Sequence, residues 1–156
     1  MDLLTTVSIF FDNDIVLIGF LFLLLFITSV LFKKQKTKLK KVILATFIGV
    51  LFVIAAKEII TEDRICIIEQ SKIACPDSYA FPSGHSTMVL IFAIILLGEP
   101  SFFIFLLFAL FIMYSRLYLG VHTPLDILGA IPFAFVSCAL SDLIFKRFLK
   151  EEDKNE

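Results

Sequence analysis

The sequence predicts an all-α integral membrane protein, a bundle of about five transmembrane helices with a short interfacial helix at the N-terminus. Of its 156 residues, 59% are apolar, and the mean hydropathy is +0.97. Soluble domains contain fewer apolar residues, close to half. The apolar residues also fall into separate runs, which cover residues 15–32, 42–56, 85–98, 102–119 and 125–145. Composition and spacing together therefore indicate a membrane protein.

The length of each run decides which helix it predicts. A transmembrane helix requires about 20 residues at a rise of roughly 1.5 Å each. The first, fourth and fifth runs are long enough by themselves. The second run reaches this length only if it continues to about Ile60, and the third only if it begins at about Ala80. Residues 3–11 are too few to cross a bilayer and are expected to lie in the interface. A tight connection around Gly98 joins the third and fourth helices, and residues 1–156 are expected to form one domain.

Basic residues predict the orientation of the bundle. The segment KKQKTKLKK at residues 33–41 links the first two helices, and Lys146, Arg147 and Lys150 follow the fifth. Positively charged connections remain on the cytoplasmic side, and five spans place both clusters there. We therefore expect a multi-pass protein of the plasma or inner membrane with a cytoplasmic C-terminus. Because the net charge is −1 and the basic residues cluster at helix ends, no nucleic acid partner is expected.

The unusual polar residues all fall on the opposite, outer side. The stretch FPSGHSTMVLIF, residues 81–92, places Ser83 at the N-cap of an apolar helix. Gly84 would let a ligand approach the backbone closely, and the first amides of the helix carry the positive end of its dipole. These features predict an anion site, over which His85 would stand in the first turn.

The stretch HTPLD, residues 122–126, repeats this arrangement before the fifth helix. Thr123 suits the N-cap, Pro124 the first helical position and Asp126 the first turn. Asp126 can accept a hydrogen bond from one ring nitrogen of His122, which leaves the other nitrogen free and basic. A carboxylate that orients a histidine is a feature of catalytic triads, and here the histidine itself could be the nucleophile.

Three cations lie at the same predicted face. Arg116 ends the fourth helix, whereas Lys57 and Arg64 lie at the end of the second helix and beyond it. A guanidinium matches phosphate oxygens and a lysine supplies a point charge, so these residues predict a phosphate pocket. Each of these residues alone would also fit a structural role, because lysines and arginines often anchor helix ends at the membrane interface. The only two histidines of the chain, however, both fall in these stretches.

The stretches resemble the three motifs of the type 2 phosphatidic acid phosphatase superfamily, which also includes bacterial acid phosphatases and vanadium haloperoxidases. The first motif, K-x6-R-P, is similar to KEIITEDRI at residues 57–65, where Ile65 replaces the proline. The second, P-S-G-H, is intact at residues 82–85, and the third, S-R-x5-H-x3-D, is intact at residues 115–126. The motifs lie within residues 57–126, close to half of the chain, and their order and spacing are specific.

The resemblance implies a site and a mechanism. His122 would attack phosphorus and form a phosphohistidine, Asp126 would orient it, and His85 would protonate the leaving oxygen and later activate water. The phosphate oxygens would be held by Lys57, Arg64, Ser83, Gly84 and Arg116. No metal or other cofactor is implied. The partner would be a membrane lipid phosphate within the bilayer, bound at the extracytoplasmic surface.

The expected substrate is a polyprenyl diphosphate such as the undecaprenyl carrier, cleaved to the monophosphate and phosphate. Phosphatidylglycerol phosphate, phosphatidic acid and lipid A 1-phosphate remain open, as does a phosphotransferase that uses an acceptor other than water. A channel or a degenerate lipid-binding protein would also place charges in a bundle, but it would not need both histidines at these spacings. The sequence does not predict the oligomeric state. In an outer loop, Cys66 and Cys75 could pair as a disulfide.

Overall fold

The computed structural model describes residues 2–32 and 36–152, and within them it contains helices and connecting segments without strands. Six α-helices follow one another across these residues: α1 (Leu3–Phe10), α2 (Asp14–Phe32), α3 (Lys36–Ile60), α4 (Gly84–Ile95), α5 (Phe102–Tyr118) and α6 (Pro124–Glu152). A 3-10 turn, Ile65–Ile67, lies in the long connection between α3 and α4. The all-α prediction is confirmed, with α1 as a short N-terminal helix before five longer ones.

Local capping fixes where α4 begins. Ser83 has an extended backbone, and its side chain accepts a hydrogen bond from the backbone N–H of Ser86. The helix therefore begins at Gly84, which confirms the N-cap predicted at Ser83. The prediction that the helix extends back to about Ala80 is wrong, because the N-cap comes after that position. At the other end, Gly98 adopts a φ of +84°, which glycine tolerates without strain. This glycine turns the chain from α4 towards α5, as expected.

Helix α4 lies at the centre of the bundle and packs against α3, α5 and α6. The ring of Phe92 stacks on Phe105 of α5, with 6.0 Å between centroids. Helices α3 and α6 meet through small residues, which let membrane helices approach closely. A Cβ atom added at Gly49 would lie 3.3 Å from Oγ of Ser137. The hydroxyl of Ser141 donates to the carbonyl oxygen of Lys41 at 3.0 Å.

The helices differ in their capacity to cross a membrane. The segments Lys38–Ile60 and Pro124–Arg147 are long and apolar enough by themselves. Helices α1 and α2 meet the same criterion together but are bent by 89° at the break between them. Helices α4 and α5 are apolar and shorter, with 12 and 17 residues. Large apolar side chains such as Phe47 and Leu107 point outward, 62% and 68% exposed, as a lipid-facing surface requires.

Charged side chains lie at both ends of this integral membrane bundle. At one end, the ammonium groups of Lys41 and Lys146 both contact the carboxylate of Asp142. The site residues predicted from the sequence lie at the other end, where α3 and α5 finish and α4 and α6 begin. Of the basic segments used to predict orientation, residues 33–35 and the side chains of Lys36 and Lys150 lie outside the described part of the chain.

Candidate active site

A cavity of about 480 Å³ opens at the site end of the bundle. Its polar wall contains six of the residues predicted as site residues, namely Lys57, Arg64, Gly84, His85, Arg116 and His122. Asp126 and Ser83 are fully buried and do not border the cavity. The structure therefore brings three separated segments of the chain together at one place.

The remainder of the cavity is apolar. It extends along α2, α3 and α4, where it is lined by side chains such as Ile18, Val50, Val53 and Met88. A polar head with an apolar extension suits an amphipathic ligand, because each part of such a ligand then meets a surface of its own polarity.

His122 directly precedes α6, and the first turn of that helix holds its ring. Nδ1 of His122 lies 3.1 Å from Oδ2 of Asp126. The same oxygen accepts the backbone N–H of Thr123 at 2.7 Å, and Oγ1 of Thr123 accepts the backbone N–H of Asp126 at 3.3 Å. Since the carboxylate accepts from an Nδ1–H group, Nε2 retains its lone pair. This local cap explains why the sequence HTPLD presents an oriented imidazole.

The protonation state of His122 also suits a nucleophile. Burial lowers the pKa of His122 to about 4. The hydrogen bond to Asp126 opposes this shift, whereas the positive charges of Arg64 and Arg116 add to it. A histidine with this pKa is neutral near pH 7, so its free nitrogen can attack an electrophile.

Arg64 reaches the cavity from the connection that follows α3. Its Nε and Nη2 atoms donate to the carbonyl oxygen and hydroxyl of Ser78, at 2.6 and 2.9 Å. Its Nη1 atom donates to the carbonyl oxygen of Val121 at 3.1 Å and lies 3.2 Å from Nε2 of His122. Ile65, which replaces the proline of the motif, begins the 3-10 turn. The guanidinium is thus fixed beside the free nitrogen, where it can contact an oxygen of a group under attack.

Lys57 couples the last turn of α3 to the long connection after it. Its ammonium donates to the carbonyl oxygens of Tyr79 and Ala80, the latter at 3.2 Å. The same connection is closed by a disulfide between Cys66 and Cys75, whose Cα atoms lie 5.6 Å apart. The loop that supplies partners for two of the cations is therefore tied to α3 by Lys57 and cross-linked within itself by the disulfide.

Ser83 is the N-cap of α4. Its Oγ atom accepts the backbone N–H of Ser86 at 3.4 Å and the hydroxyl of Ser86 at 3.0 Å. A direct contact between Ser83 and a phosphate therefore stays a prediction. Gly84 does border the cavity. A Cβ atom there would meet Val53 at an ordinary contact distance of 3.6 Å, so a side chain would occupy part of the cavity without displacing the protein.

His85 and Arg116 contact a segment that the sequence analysis did not select. Nε2 of His85 lies 2.9 Å from the carbonyl oxygen of Asp12, and Nδ1 lies 3.4 Å from Oδ1 of Asp14. Nη1 of Arg116 forms an ion pair with the carboxylate of Asp12. The Nε atom of Arg116 is buried and has no hydrogen-bond partner among the described residues. The available signal was the acidic segment DND, residues 12–14, between two apolar helices.

The polar wall therefore combines three cations with two imidazoles. Within residues 2–32 and 36–152, no three side chains of His, Cys, Asp or Glu converge as ligands for a metal ion. Guanidinium and ammonium donors around a cavity of this kind are suited to a tetrahedral oxyanion. The oriented, neutral His122 can then act on that oxyanion as a nucleophile.

The fold and the site define a class, an integral membrane helical protein with a cavity at one end of its bundle that is lined by cations and two histidines. Residues 38–150 match the family model described as the PAP2 superfamily, and the chain belongs to this superfamily.

Two curated proteins are similar to parts of the chain. One, from Escherichia coli (strain K12), is named provisionally as the undecaprenyl-diphosphatase YbjG; it is 34% identical over 70 residues, which are 43% of this chain and 35% of that protein. The other is the undecaprenyl-diphosphatase of Sulfolobus acidocaldarius, 41% identical over 57 residues, 35% of this chain and 28% of that protein. The match spans about a third of the length of these relatives.

Two solved structures share the fold over most of the chain. LpxE of Aquifex aeolicus superposes with a TM-score of 0.65 at 26% identity, covering 88% of this chain and 82% of that one. A transmembrane PAP2 type phosphatidylglycerolphosphate phosphatase from Bacillus subtilis superposes with a TM-score of 0.63, covering 92% and 74%. At 20% identity, this second likeness concerns the fold alone.

Proposed function

We propose that this chain is a lipid phosphatase that hydrolyses a lipid phosphomonoester or diphosphate through a phosphohistidine intermediate. The position of His122 carries the proposal. Its Nδ1 is bound to Asp126 at 3.1 Å, while its Nε2 faces the guanidinium of Arg64 at 3.2 Å. A neutral, oriented imidazole thus presents its lone pair to an anion held by arginine.

The first half of the proposed reaction transfers the phosphoryl group to the protein. Nε2 of His122 attacks phosphorus, and the bond between phosphorus and the leaving oxygen breaks. His85 gives a proton to that oxygen, so the leaving group departs as a neutral hydroxyl or a protonated phosphate. Asp126 stabilises the positive charge that develops on the attacking ring. Arg64 and Arg116, with Lys57, balance the charge on the phosphoryl oxygens.

The second half returns the protein to its starting state. A water molecule attacks the phosphohistidine, and His85 accepts the proton that the water loses. The bond between phosphorus and nitrogen breaks, and His122 recovers its lone pair. The net reaction consumes one water and releases inorganic phosphate.

The proposed substrate is a polyprenyl diphosphate such as undecaprenyl diphosphate, which would lose its terminal phosphate. The names of the two curated relatives support this choice. The apolar extension of the cavity along α2, α3 and α4 supports a lipid in general, since a chain could lie there while the head group meets the cations.

We further propose that helices α2 to α6 cross the membrane, with the site at the extracytoplasmic face and the C-terminus in the cytoplasm. Two observations support this orientation: the basic cluster with Lys41 and Lys146 lies at the end opposite the site, and the disulfide lies at the site end. A cysteine introduced at Ile68, which is 86% exposed, should react with an impermeant maleimide in intact cells. One at Arg147 should react only after the cells are opened.

The activity is tested with purified protein on a panel of lipid monophosphates and diphosphates, with and without chelator. We expect phosphate release, fastest from the polyprenyl diphosphate, and no release by His122→Ala. A brief incubation with a 32P-labelled lipid should leave acid-labile label on the wild-type protein and none on the variant. Turnover retained by His122→Ala in a pure, folded preparation would exclude the histidine nucleophile. Transfer of label to an added acceptor lipid would instead identify a phosphotransferase.

A further inference from the structure

The elbow between α1 and α2, residues 11–13, enters the candidate active site. The two helices meet there at 89°. The carboxylate of Asp12 forms an ion pair with Arg116, and the backbone carbonyl oxygen of Asp12 lies 2.9 Å from Nε2 of His85. One residue of the elbow thus contacts both a proposed phosphate ligand and the proposed general acid.

Specific contacts hold the elbow in this position. The buried ring of Phe11 packs edge-on against Phe20 and Phe108, with centroids 5.1 and 5.2 Å away. The side chain of Asn13 accepts the backbone N–H of Ile15 at 3.0 Å and so caps α2. The elbow is therefore a built feature of the fold, anchored on each side of Asp12.

Helix α1 is fastened separately, at its other end. Oγ1 of Thr5 lies 3.0 Å from the hydroxyl of Tyr118, at the end of α5. The carboxylate of Asp2 accepts a hydrogen bond from the same hydroxyl at 3.0 Å. With both ends of α1 held, the carboxylate of Asp12, which is 31% exposed, can still turn away from Arg116 without detaching the helix.

A carboxylate and a phosphate compete for the same donors. Both present oxygen pairs to a guanidinium, and the side chain of Arg116 is only 3% exposed, so the arginine cannot turn away to serve another partner. The N–H group that binds Asp12 is therefore closed to a substrate oxygen while the pair persists. In the same way, an Nε2–H of His85 that donates to the carbonyl oxygen of Asp12 cannot protonate a leaving group.

We propose that Asp12 is an internal competitor of the phosphate, which occupies Arg116 and His85 in the resting site and withdraws when a phosphoryl group binds. Its return to Arg116 after hydrolysis helps to displace inorganic phosphate. This inference rests on the function proposed above, because it concerns the same phosphate ligands. Asp12 is a positioning residue here, since it acts through Arg116 and His85.

Competition of this kind has a quantitative signature. If only a fraction of the molecules has the elbow withdrawn, the apparent dissociation constant of every phosphate ligand is raised by the reciprocal of that fraction. Removal of the competing charge should therefore lower the dissociation constants of inorganic phosphate and of lipid phosphates by the same factor. A residue that merely supported the fold would not produce a uniform gain in affinity.

The first experiment titrates inorganic phosphate into full-length protein in detergent, with calorimetric detection. Asp12→Asn should bind phosphate about tenfold more tightly than the wild type, and its KM for the lipid should fall by a similar factor. Glu58→Gln is the matched control. Glu58 is an exposed carboxylate in the last turn of α3, at the site end of the bundle. An unchanged or weaker affinity in Asp12→Asn would overturn the proposal, as would an equal gain in the control.

The second experiment uses the wild type and does not depend on whether a variant folds. Hydrogen exchange is measured for a peptide that covers residues 11–17, with and without saturating phosphate. Withdrawal of the elbow should raise exchange in this peptide, whereas exchange elsewhere around the site falls on binding. Unchanged or reduced exchange in residues 11–17 would overturn the proposal.

The results separate this inference from the proposed function. If no lipid phosphate is hydrolysed but Asp12→Asn still binds inorganic phosphate more tightly, the proposed activity is wrong and the proposed role of Asp12 is supported. If the wild type hydrolyses lipids while both phosphate affinity and exchange are unaffected, the activity stands and the competitor is wrong.

Discussion

The backbone N–H of Ser83 donates a hydrogen bond to the carbonyl oxygen of Asp126 across 3.1 Å. Ser83 caps α4, whose first turn carries His85, and Asp126 lies in the first turn of α6 and holds His122. The bond therefore joins the two helix N-termini that bear the two imidazoles. Since both partners are backbone groups, the relative position of the histidines is set by the packing of α4 on α6.

The charge of Asp126 should matter more for the rate than for binding. In Asp126→Asn, the amide oxygen can still accept from His122 and Thr123, because one carboxylate oxygen makes both bonds in the wild type. The amide nitrogen would then lie at Oδ1, which is buried and has no partner among the described residues. The imidazolium loses its counter-charge, so kcat should fall by about a hundredfold or more while KM changes little.

The control for this prediction is Thr123→Val, which removes the capping hydroxyl and retains the carboxylate. It should lower the free energy of unfolding by about 1 kcal/mol and leave kcat close to the wild-type value. Steady-state kinetics on one lipid measure both variants. A kcat for Asp126→Asn within a few-fold of the wild type would show that the carboxylate only orients the ring.

The acid limb of the pH profile should report His122. Burial lowers its pKa from 6.5 to about 4, so the ring stays neutral and nucleophilic well below pH 6. Activity should be lost as the pH falls through about 4, when protonation removes the lone pair. The measurement is kcat/KM at about ten pH values between about 3.5 and 8. Formation of the phosphoenzyme is followed at the same pH values. An acid limb centred near 6.5 would mean that the ring is not desolvated in solution.

The sequence predicted contacts that form within one turn of chain and missed those that depend on distant packing. The pair of His122 and Asp126 is four residues apart and could be inferred from local capping alone. The contact between Asp12 and Arg116 spans 104 residues and exists only because α1 and α2 are bent by 89°. No periodicity in the sequence encodes that bend. The extension of α4 back to about Ala80 was wrong because it came from the length that a membrane span requires, whereas the local N-cap signal at Ser83 predicted the observed start.

Opening the disulfide should weaken the site as well as the fold. The disulfide between Cys66 and Cys75 cross-links the chain between Arg64 and Ser78, and Ser78 accepts two hydrogen bonds from Arg64. In Cys75→Ser, the unfolded chain regains its freedom, and the free energy of unfolding should fall by about 2.7 kcal/mol on the chain-entropy model. The looser loop should also raise the Kd for inorganic phosphate, because Arg64 loses its fixed position.

Thermal unfolding and phosphate titration, each with and without reductant, test this prediction. Cys138→Ala is the control, since Cys138 is the free cysteine on α6 and lies away from the loop. Reductant should shift the wild type and the control alike and leave Cys75→Ser unchanged. Equal unfolding temperatures for the wild type with and without reductant would show that the bond contributes nothing to stability.

The junction between α4 and α6 can be tested at Gly129, where α6 passes the ring of Phe81. A Cβ atom at this position would overlap that ring, and Phe81 directly precedes the segment that leads to His85. Gly129→Ala should therefore lower stability by about 1–3 kcal/mol and reduce kcat, because the two helix N-termini are forced apart. Gly19→Ala, where no atom lies within 4 Å, should be as stable as the wild type or more so. If Gly129→Ala unfolds no earlier than Gly19→Ala and retains its kcat, close packing at this junction does not set the distance between the histidines.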